Sequence, residues 1–307
     1  MPSETSAIPH SFHEIDPLPL HERVAALIAI LVPFAGLIWA MVLVWGRGFD
    51  WLNLGLLVGM YMATGLGITV GYHRLFAHRA FATSRIVQAM LAVLGSMAVE
   101  GPLLRWVAFH RSHHQHSDRN HDPHSPHTHG AGFRNMMRGF WRAHAGWFFQ
   151  RHPRREEIVA DLKASRLLRI LSLLFPLWVT LGLLIPSVLA GFVTRSWSGA
   201  LLGLLWGGLV RICLVHHITW SINSVCHIWG TQPFKTHDHS RNNVIFGVLA
   251  FGEGWHNNHH AFPSSARHGL GWWQLDMSYL IIWLMSRLGL AWNVRTPPSD
   301  RIAAKRR

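Results

Sequence analysis

The stretch from Trp51 to His78 reads WLNLGLLVGMYMATGLGITVGY followed by HRLFAH. Its first part carries no Asp, Glu, Lys or Arg, and a helix needs ~20 apolar residues to cross a bilayer. The stretch therefore predicts a membrane span that leads directly into two histidines. Three more segments have comparable length and apolar character. The four predicted spans cover residues 24–45, 51–72, 167–193 and 199–220.

Composition agrees with an integral membrane protein. Half of the 307 residues are hydrophobic, 14% are charged, and the formal net charge is +13. Because the basic residues fall between apolar segments, an anionic membrane surface explains this charge better than nucleic acid does. The two cysteines, Cys213 and Cys226, give neither a disulfide framework nor a thiolate metal motif. Residues 1–23 are polar, and we expect a cytoplasmic N-terminal segment there without a cleavable signal peptide.

The distribution of basic residues predicts the topology. The short connections around residues 46–50 and 194–198 carry one basic residue each, whereas residues 74–166 carry fourteen and the chain after Trp220 carries nine. The positive-inside rule then puts both termini and the middle segment in the cytoplasm. We expect an all-α membrane protein, with residues 24–307 forming one domain. Four transmembrane helices form two hairpins, and a cytoplasmic helical cap comprises residues 73–166 and 221–307.

Three histidine clusters would then lie on the same side of the membrane. Two of them have the pattern H-x-x-H-H, in which positions i, i+3 and i+4 share a helix face and offer three imidazoles in one direction. His73 and His78 lie about 140° apart on a regular helix, so we expect them to serve different ions. Asn223 and His227 share a face at i and i+4. Imidazole suits transition metals, and the predicted ligands of this dimetal site are His73, His78, His110, His113, His114, Asn223, His227, His256, His259 and His260.

Other polar residues receive lesser roles. The histidines of a Pro- and Asp-rich loop, together with three isolated ones, are expected to be mainly structural: His116, His121, His124, His127, His129, His144, His216 and His268. The Glu-x-x-His pattern of soluble di-iron bundles is missing. Asp118, Asp122 and Glu253 are therefore expected to hold imidazole N–H groups rather than to bridge metals.

From Gly65 to Val294 the sequence resembles the membrane fatty-acid desaturases, specifically the acyl-CoA delta-9 (stearoyl-CoA-like) family in a bacterial form without a fused cytochrome b5. The resemblance rests on GITVGYHRLFAHRAF from Gly67, HRSHH from His110, TWSINSVCH from Thr219 and GEGWHNNHH from Gly252. It implies two irons bound by the same nine histidines, with Asn223 assisting through water. It also implies an enzyme of the bacterial inner membrane that uses O₂ and two electrons to place a cis double bond in a saturated acyl chain.

The resemblance implies two partners, an acyl donor and an external electron carrier such as a ferredoxin, rubredoxin or cytochrome b5-like protein. Ala108 and Phe109 stand where the animal enzymes have Arg-Asp, which helps to hold CoA, so acyl carrier protein and intact lipid are alternative donors. Tyr61, Gly65 and Thr69 lie on one stripe of the second span that leads to His73, and we expect them to line the substrate tunnel. For Gly65 alone, helix packing is an equal alternative.

Two other functions are compatible with such clusters. A membrane hydroxylase or alkane monooxygenase would insert oxygen and give an alcohol instead of an alkene. A non-enzymatic metal transporter would need ionisable residues within its spans. The cores of the first three spans contain none, which favours an enzyme.

Overall fold

The computed structural model describes residues 18–45, 48–119, 121–130, 132–149 and 156–307. Most of the predicted N-terminal segment, residues 1–17, lies outside these ranges. The elements, in chain order, are α1 Leu20–Trp45, α2 Trp51–Leu66 with a π-helical continuation Gly67–Ala77, β1 Ala82–Thr83, α3 Arg85–Ser96, α4 Leu103–His116, α5 Phe133–His144, 3₁₀ turns Gly146–Phe149 and Glu156–Val159, α6 Ala160–Lys163, α7 Arg166–Leu173, α8 Phe175–Thr194, α9 Trp197–Gly203, a second π-helix Leu204–Val210, α10 Arg211–Ser224, a 3₁₀ turn Val225–His227, α11 Val244–Leu249, α12 His256–Ala261, α13 Met277–Arg287, β2 Ala291–Trp292 and α14 Ser299–Lys305.

Four helices are long and apolar enough to cross a membrane, as predicted. They comprise Leu20–Val44, Trp51–Ala77, Phe175–Thr194 and Trp197–His227. Many of their large apolar side chains, such as Leu31 and Phe192, are exposed on the outer surface, which is the arrangement that lipid contact requires. α1 and α2 both pack against the second π-helix, and α8 packs against α9.

The predicted start of the third span at residue 167 is wrong. Residues Arg166–Leu173 form the separate helix α7, and the apolar helix α8 begins only at Phe175. Pro176 lies in the first turn of α8, where a residue without a backbone N–H is tolerated and where its fixed φ favours a new helix start. The amphipathic α7 packs instead against α3 and α4.

The apolar stretch 91–104 is divided between two helices. α3 ends at Ser96 and α4 begins at Leu103, with left-handed φ at Val99 (66°) and Gly101 (112°) between them. The carbonyl oxygens at the end of α3 are bound by the fourth span. Arg211 donates to Met97 O at 2.6 Å, and His216 Nε2 lies 3.0 Å from Ala98 O. These contacts fix the turn that carries Glu100.

The second span changes from α-helix to π-helix at Gly67 and retains this form to Ala77. The backbone of Gly67 meets that of Gly95 so closely that an added Cβ would lie 2.3 Å from the Gly95 nitrogen. Tyr72 is fully buried and its hydroxyl lies 2.8 Å from Ser96 Oγ. The close packing against α3 therefore holds the wide helix in place, and this helix carries His73 to the centre of the protein.

The remaining elements lie around the end of the second and fourth spans. The two short strands form an antiparallel pair, in which Ala82 lies opposite Trp292, a small addition to the predicted all-α fold. The short helix α12 is buried at His256, Asn257 and His259. It carries the last histidine cluster between α4 and the end of α10.

Candidate metal centre

Five histidines from three parts of the chain converge on one point. Their ring nitrogens all lie within 4.8 Å of one another, and the members of this first group are His73, His78, His110, His114 and His259. The Nε2 atoms of His73 and His259 are 3.1 Å apart, those of His78 and His110 2.7 Å, and those of His114 and His259 2.9 Å. Five nitrogens thus surround a space of the size of a single ion.

The expectation that His73 and His78 serve different ions is wrong. It assumed a regular α-helix, in which the fourth residue along returns to the same face. This segment is π-helical, so the hydrogen bond closes five residues apart, and the His78 N–H donates to His73 O at 3.0 Å. The wider turn places the two imidazole rings 4.8 Å apart, centre to centre.

Four further histidines form a second group, His113, His227, His256 and His260, whose nitrogens also lie within 4.8 Å of one another. His227 Nε2 and His256 Nε2 are 3.0 Å apart. The Nε2 atoms of His113 and His260 are buried and have no hydrogen-bond partner in the described part of the chain. Asn223, the tenth predicted ligand, lines the neighbouring cavity together with His256.

Neither H-x-x-H-H cluster directs its three imidazoles to one point, contrary to the prediction. In α4, His110 and His114 belong to the first group and His113 to the second; in α12, His256 and His260 belong to the second group and His259 to the first. Positions i and i+4 are only about 40° apart on a helix, whereas i+3 and i+4 are about 100° apart. Each cluster therefore gives a pair to one group and a single imidazole to the other, and the two groups are linked by both helices.

The three carboxylates named from the sequence each lie at an imidazole nitrogen. Asp118 Oδ2 is 2.8 Å from His227 Nδ1, Asp122 Oδ1 is 3.0 Å from His113 Nδ1, and Glu253 Oε2 is 2.6 Å from His73 Nδ1. Although burial opposes ionisation, the neighbouring imidazoles hold the pKa of Asp118 and Asp122 well below the usual range. These carboxylates fix the ring orientation and leave the Nε2 atoms directed towards the group centres.

Two residues in this network were not assigned roles in it from the sequence. Asp238 Oδ2 lies 2.6 Å from His260 Nδ1, and His268 Nδ1 lies 3.3 Å from Glu253 Oε2. Asp238 lies between His237 and His239 in a loop that follows the fourth span. Its closeness in sequence to His227 was the only sign in the sequence that it belongs to the site. His268, expected to be structural, is fully buried with its ring 4.5 Å from that of His259.

The loop histidines are unequal. The ring of His124 stacks on that of His113, with centres 4.7 Å apart, and the ligand atoms of both histidines and Asp122 lie within 4.8 Å of one another. His127 Nε2 lies 2.8 Å from His227 O. His129 instead lines a separate surface cavity with Arg138 and Arg142. Among the isolated histidines, His144 Nε2 lies 3.0 Å from His217 Nδ1.

Burial controls the protonation of these imidazoles. Burial, with the proximity of other imidazoles, lowers the pKa far below its ordinary value for His78, His110, His114, His256 and His259. The neutral ring that results is the form that binds a metal ion. Both groups are therefore suited in geometry and in charge to holding metals.

A mainly apolar cavity opens beside the two groups. The three predicted tunnel residues, Tyr61, Gly65 and Thr69, all line it, together with His73 and Phe251. The Tyr61 hydroxyl donates to Leu249 O at 2.6 Å, and its ring lies 5.4 Å from that of Phe251. An added Cβ at Gly65 would lie 2.4 Å from the Phe251 ring, so this end of the cavity is narrow.

One carboxyl group lies in the wall of this cavity. Glu100 accepts a hydrogen bond from Trp106 Nε1 at 2.9 Å, and Trp106 stacks on His110 with ring centres 5.1 Å apart. The second oxygen, Oε1, is buried as well. Burial raises the pKa of Glu100 to about 7, although hydrogen bonds from Trp106 and Thr219 lower it.

The fold and the site together define a helical membrane protein with two imidazole groups beside an apolar cavity. Residues 49–295 match the fatty acid desaturase family, and the chain belongs to this family, as the resemblance indicated.

Relatives in bacteria and plants are similar over most of their length. The chain is 43% identical to the hex-5-enoyl-[acyl-carrier protein] acetylenase of Moorena producens, over 90% of this chain and 87% of that one. It is 39% identical to delta-9 acyl-lipid desaturase 1 of Arabidopsis thaliana, over 82% and 78% of the two chains. It is 35% identical to the sn-1 stearoyl-lipid 9-desaturase of Synechocystis, over 84% and 76%.

Proposed function

We propose that this desaturase introduces a cis double bond, at carbon 9 of a saturated acyl chain, with O₂ and two electrons at a pair of irons. The observation that carries the proposal is the opening of two imidazole groups onto one apolar cavity. The balanced reaction is –CH₂–CH₂– + O₂ + 2 e⁻ + 2 H⁺ → –CH=CH– + 2 H₂O. Its oxidant is O₂, and its electrons come from an external carrier protein.

The donor atoms fit two metal ions. Imidazole nitrogens that share an ion at about 2.1 Å lie roughly 3 Å apart, and the Nε2 pairs His73–His259 and His227–His256 have separations of 3.1 and 3.0 Å. The unpaired buried Nε2 atoms of His113 and His260 face the same centre. The first group would hold one iron and the second group, with Asn223 through water, the other. Iron supplies the redox chemistry that zinc lacks.

The chain's own residues position the substrate and exclude water. The apolar cavity walls hold the acyl chain, and Tyr61 with Phe251 closes one end. His73, His110 and His256 reach the same cavity, so the reacting methylenes lie against them. The hydrogen bond from Trp106 fixes the Glu100 carboxyl at the wall. Asp118, Asp122 and Glu253 hold their imidazole partners in one tautomer throughout turnover.

The acyl donor is proposed to be an intact lipid. Two relatives are named as acyl-lipid desaturases and one as acting on an acyl-carrier-protein substrate. Ala108 and Phe109 offer no charge for CoA at the positions where the animal enzymes have Arg-Asp. Purified protein supplied with stearoyl-phosphatidylglycerol, stearoyl-acyl carrier protein and stearoyl-CoA in parallel separates the three donors by the rate of oleoyl product.

The orientation is proposed from the basic residues, with both termini and the site in the cytoplasm of a bacterium, beside the inner membrane. The two native cysteines are buried, so single cysteines added at exposed positions give a clean test. Cysteines at the exposed positions His237 and Ser198 should label from opposite sides of the membrane. Labelling of both from the same side would overturn the topology.

Product analysis tests the chemistry. The protein is expressed in a host with few unsaturated lipids, and fatty acids are analysed by mass spectrometry with double-bond localisation. A monounsaturated product at carbon 9 supports the proposal, whereas a hydroxy fatty acid or an alcohol would support the hydroxylase alternative. A His113→Ala variant, which loses one nitrogen of the second group, is the matched inactive control.

A further inference from the structure

The loop 235–241 reaches two imidazoles of the second group. It contacts His260 through its own Asp238 and His227 through Asp118. The side chain of Asp238 lies 2.6 Å from His260 Nδ1. The backbone N–H of the next residue, His239, donates to Asp118 Oδ2 at 2.8 Å, and the same oxygen lies 2.8 Å from His227 Nδ1. Neighbouring positions of one loop thus lead, by short hydrogen-bonded paths, from the surface to the second group.

The last residues of the chain lie beside this loop. Lys235 N donates to Lys305 O at 2.9 Å and Arg307 N to Pro233 O at 3.0 Å, while Lys305 Nζ donates to Ala261 O next to His260. We call this region, residues 235–241 with 305–307, the loop–tail surface. Its basic residues are Lys235, Arg241, Lys305, Arg306 and Arg307.

The loop–tail surface is strongly positive. Its one acidic residue is Asp238, whose carboxylate is directed onto His260 and Ser240 rather than outwards. Lys235, Arg306 and Arg307 are all exposed. The surface therefore presents positive charge close to His260 of the second imidazole group, which favours an acidic protein partner.

A lipid headgroup is a less suitable partner for this surface. The fourth span, Trp197–His227, has 31 residues, and at ~1.5 Å per residue it would extend ~46 Å, well beyond a ~30 Å hydrocarbon core. The loop–tail surface follows the far end of this helix. None of residues 235–241 and 305–307 is apolar, whereas α5 exposes Phe133 and Trp141, which suit a membrane interface.

We propose that the loop–tail surface is the docking site of an acidic one-electron carrier protein, and that electrons enter the site on the side of His227 and His260. The inference rests on the proposed desaturase function. Two carrier molecules, each oxidised by one electron, would supply the two electrons that the reduction of O₂ to water requires beyond those taken from the acyl chain. Steering by opposite charges accounts for selection among carriers.

The test reverses three exposed charges, Lys235→Glu, Arg306→Glu and Arg307→Glu, in one variant. Their positions are fixed by backbone hydrogen bonds, so the local fold does not depend on the reversed side chains. The matched control reverses three exposed arginines elsewhere, Arg85, Arg134 and Arg138. A plant-type [2Fe–2S] ferredoxin is the probe, and its binding to protein in an uncharged detergent is measured with and without added iron.

The loop–tail variant should bind ferredoxin about tenfold more weakly at low salt, with the difference shrinking as salt rises. Its KM for ferredoxin should rise while its turnover at saturating ferredoxin and its KM for the acyl donor stay near wild-type values. The control should bind as the wild type does. Equal binding of ferredoxin by both variants overturns the docking site. Binding to phosphatidylglycerol vesicles is measured in parallel, and a loop–tail variant that loses only vesicle binding overturns it as well. A wild type that makes no alkene refutes the proposed function instead, because the binding measurement does not need turnover.

Discussion

Replacement of Glu100 by glutamine should remove a pH dependence of desaturation around neutrality. The carboxyl is buried in the cavity wall, and burial raises its pKa to about 7. An ionised carboxylate there would face the acyl chain without a counter-charge, which is costly in an apolar site. We therefore expect the wild type to bind the chain well only when Glu100 is protonated.

The size of the effect follows from the pKa. With a pKa of about 7, roughly 90% of Glu100 is protonated at pH 6 and roughly 10% at pH 8. kcat/KM for the acyl donor should then fall about tenfold over this range. Glutamine has nearly the same shape and can still accept the Trp106 N–H, so the E100Q profile should be flat by comparison.

Stability should change in the same direction. The folded-state pKa lies above the unfolded value, so the folded protein holds its proton more tightly, and its stability falls as pH rises from about 4.5 to 7. Folding raises the pKa from 4.5 to about 7. The corresponding loss of folding free energy is about 3 kcal/mol. The Tm difference between wild type and E100Q should widen across that window and remain constant above it. Parallel pH profiles of kcat/KM for the two proteins would refute the reasoning.

Three further predictions concern ligands, tunnel and hydrogen bonding. His113→Ala should lose desaturation and about one iron per chain while remaining in the membrane, whereas His129→Ala should keep substantial activity; equal loss in both, by elemental analysis and product assay, would contradict the assignment. Gly65→Leu should shorten the preferred acyl chain, because any Cβ there meets Phe251, and Tyr61→Ala should lengthen it. Unchanged product lengths from a mixed donor pool would indicate helix packing instead. Asp238→Asn should weaken metal retention about 10- to 100-fold, seen as faster loss to a chelator.

The sequence predicted the four apolar spans and the residues of both imidazole groups, because hydropathy and histidine spacing are local properties. It could not predict that His73 and His78 join the same group. That depends on the π-helical form of Gly67–Ala77, which is set by packing. Gly67 against Gly95 is one such contact, between residues far apart in sequence.

Long-range partners were the other limit. The pairing of Asp118 and Asp122 with histidines was expected because the Glu-x-x-His pattern of soluble di-iron bundles is missing. Asp238 was missed because its contact with His260 joins a loop to helix α12, and no spacing rule relates the two. The break at Leu174 was missed for a similar reason, since the apolar pattern continues across it and only Pro176 marks the new helix.

The π-helix makes the length of the second span as important as its composition. In an α-helix two imidazoles meet on one face when they are four residues apart, and in a π-helix when they are five apart. The five-residue interval between His73 and His78 therefore requires the wider turn of the π-helix that carries them. Removing one residue between these histidines should allow an ordinary α-helix to bring the same pair together. Removing one residue from Gly67–Tyr72 should instead rotate both histidines away from their partners. A one-residue deletion after His73 is thus expected to keep the pair together, and one before His73 to disrupt the first group.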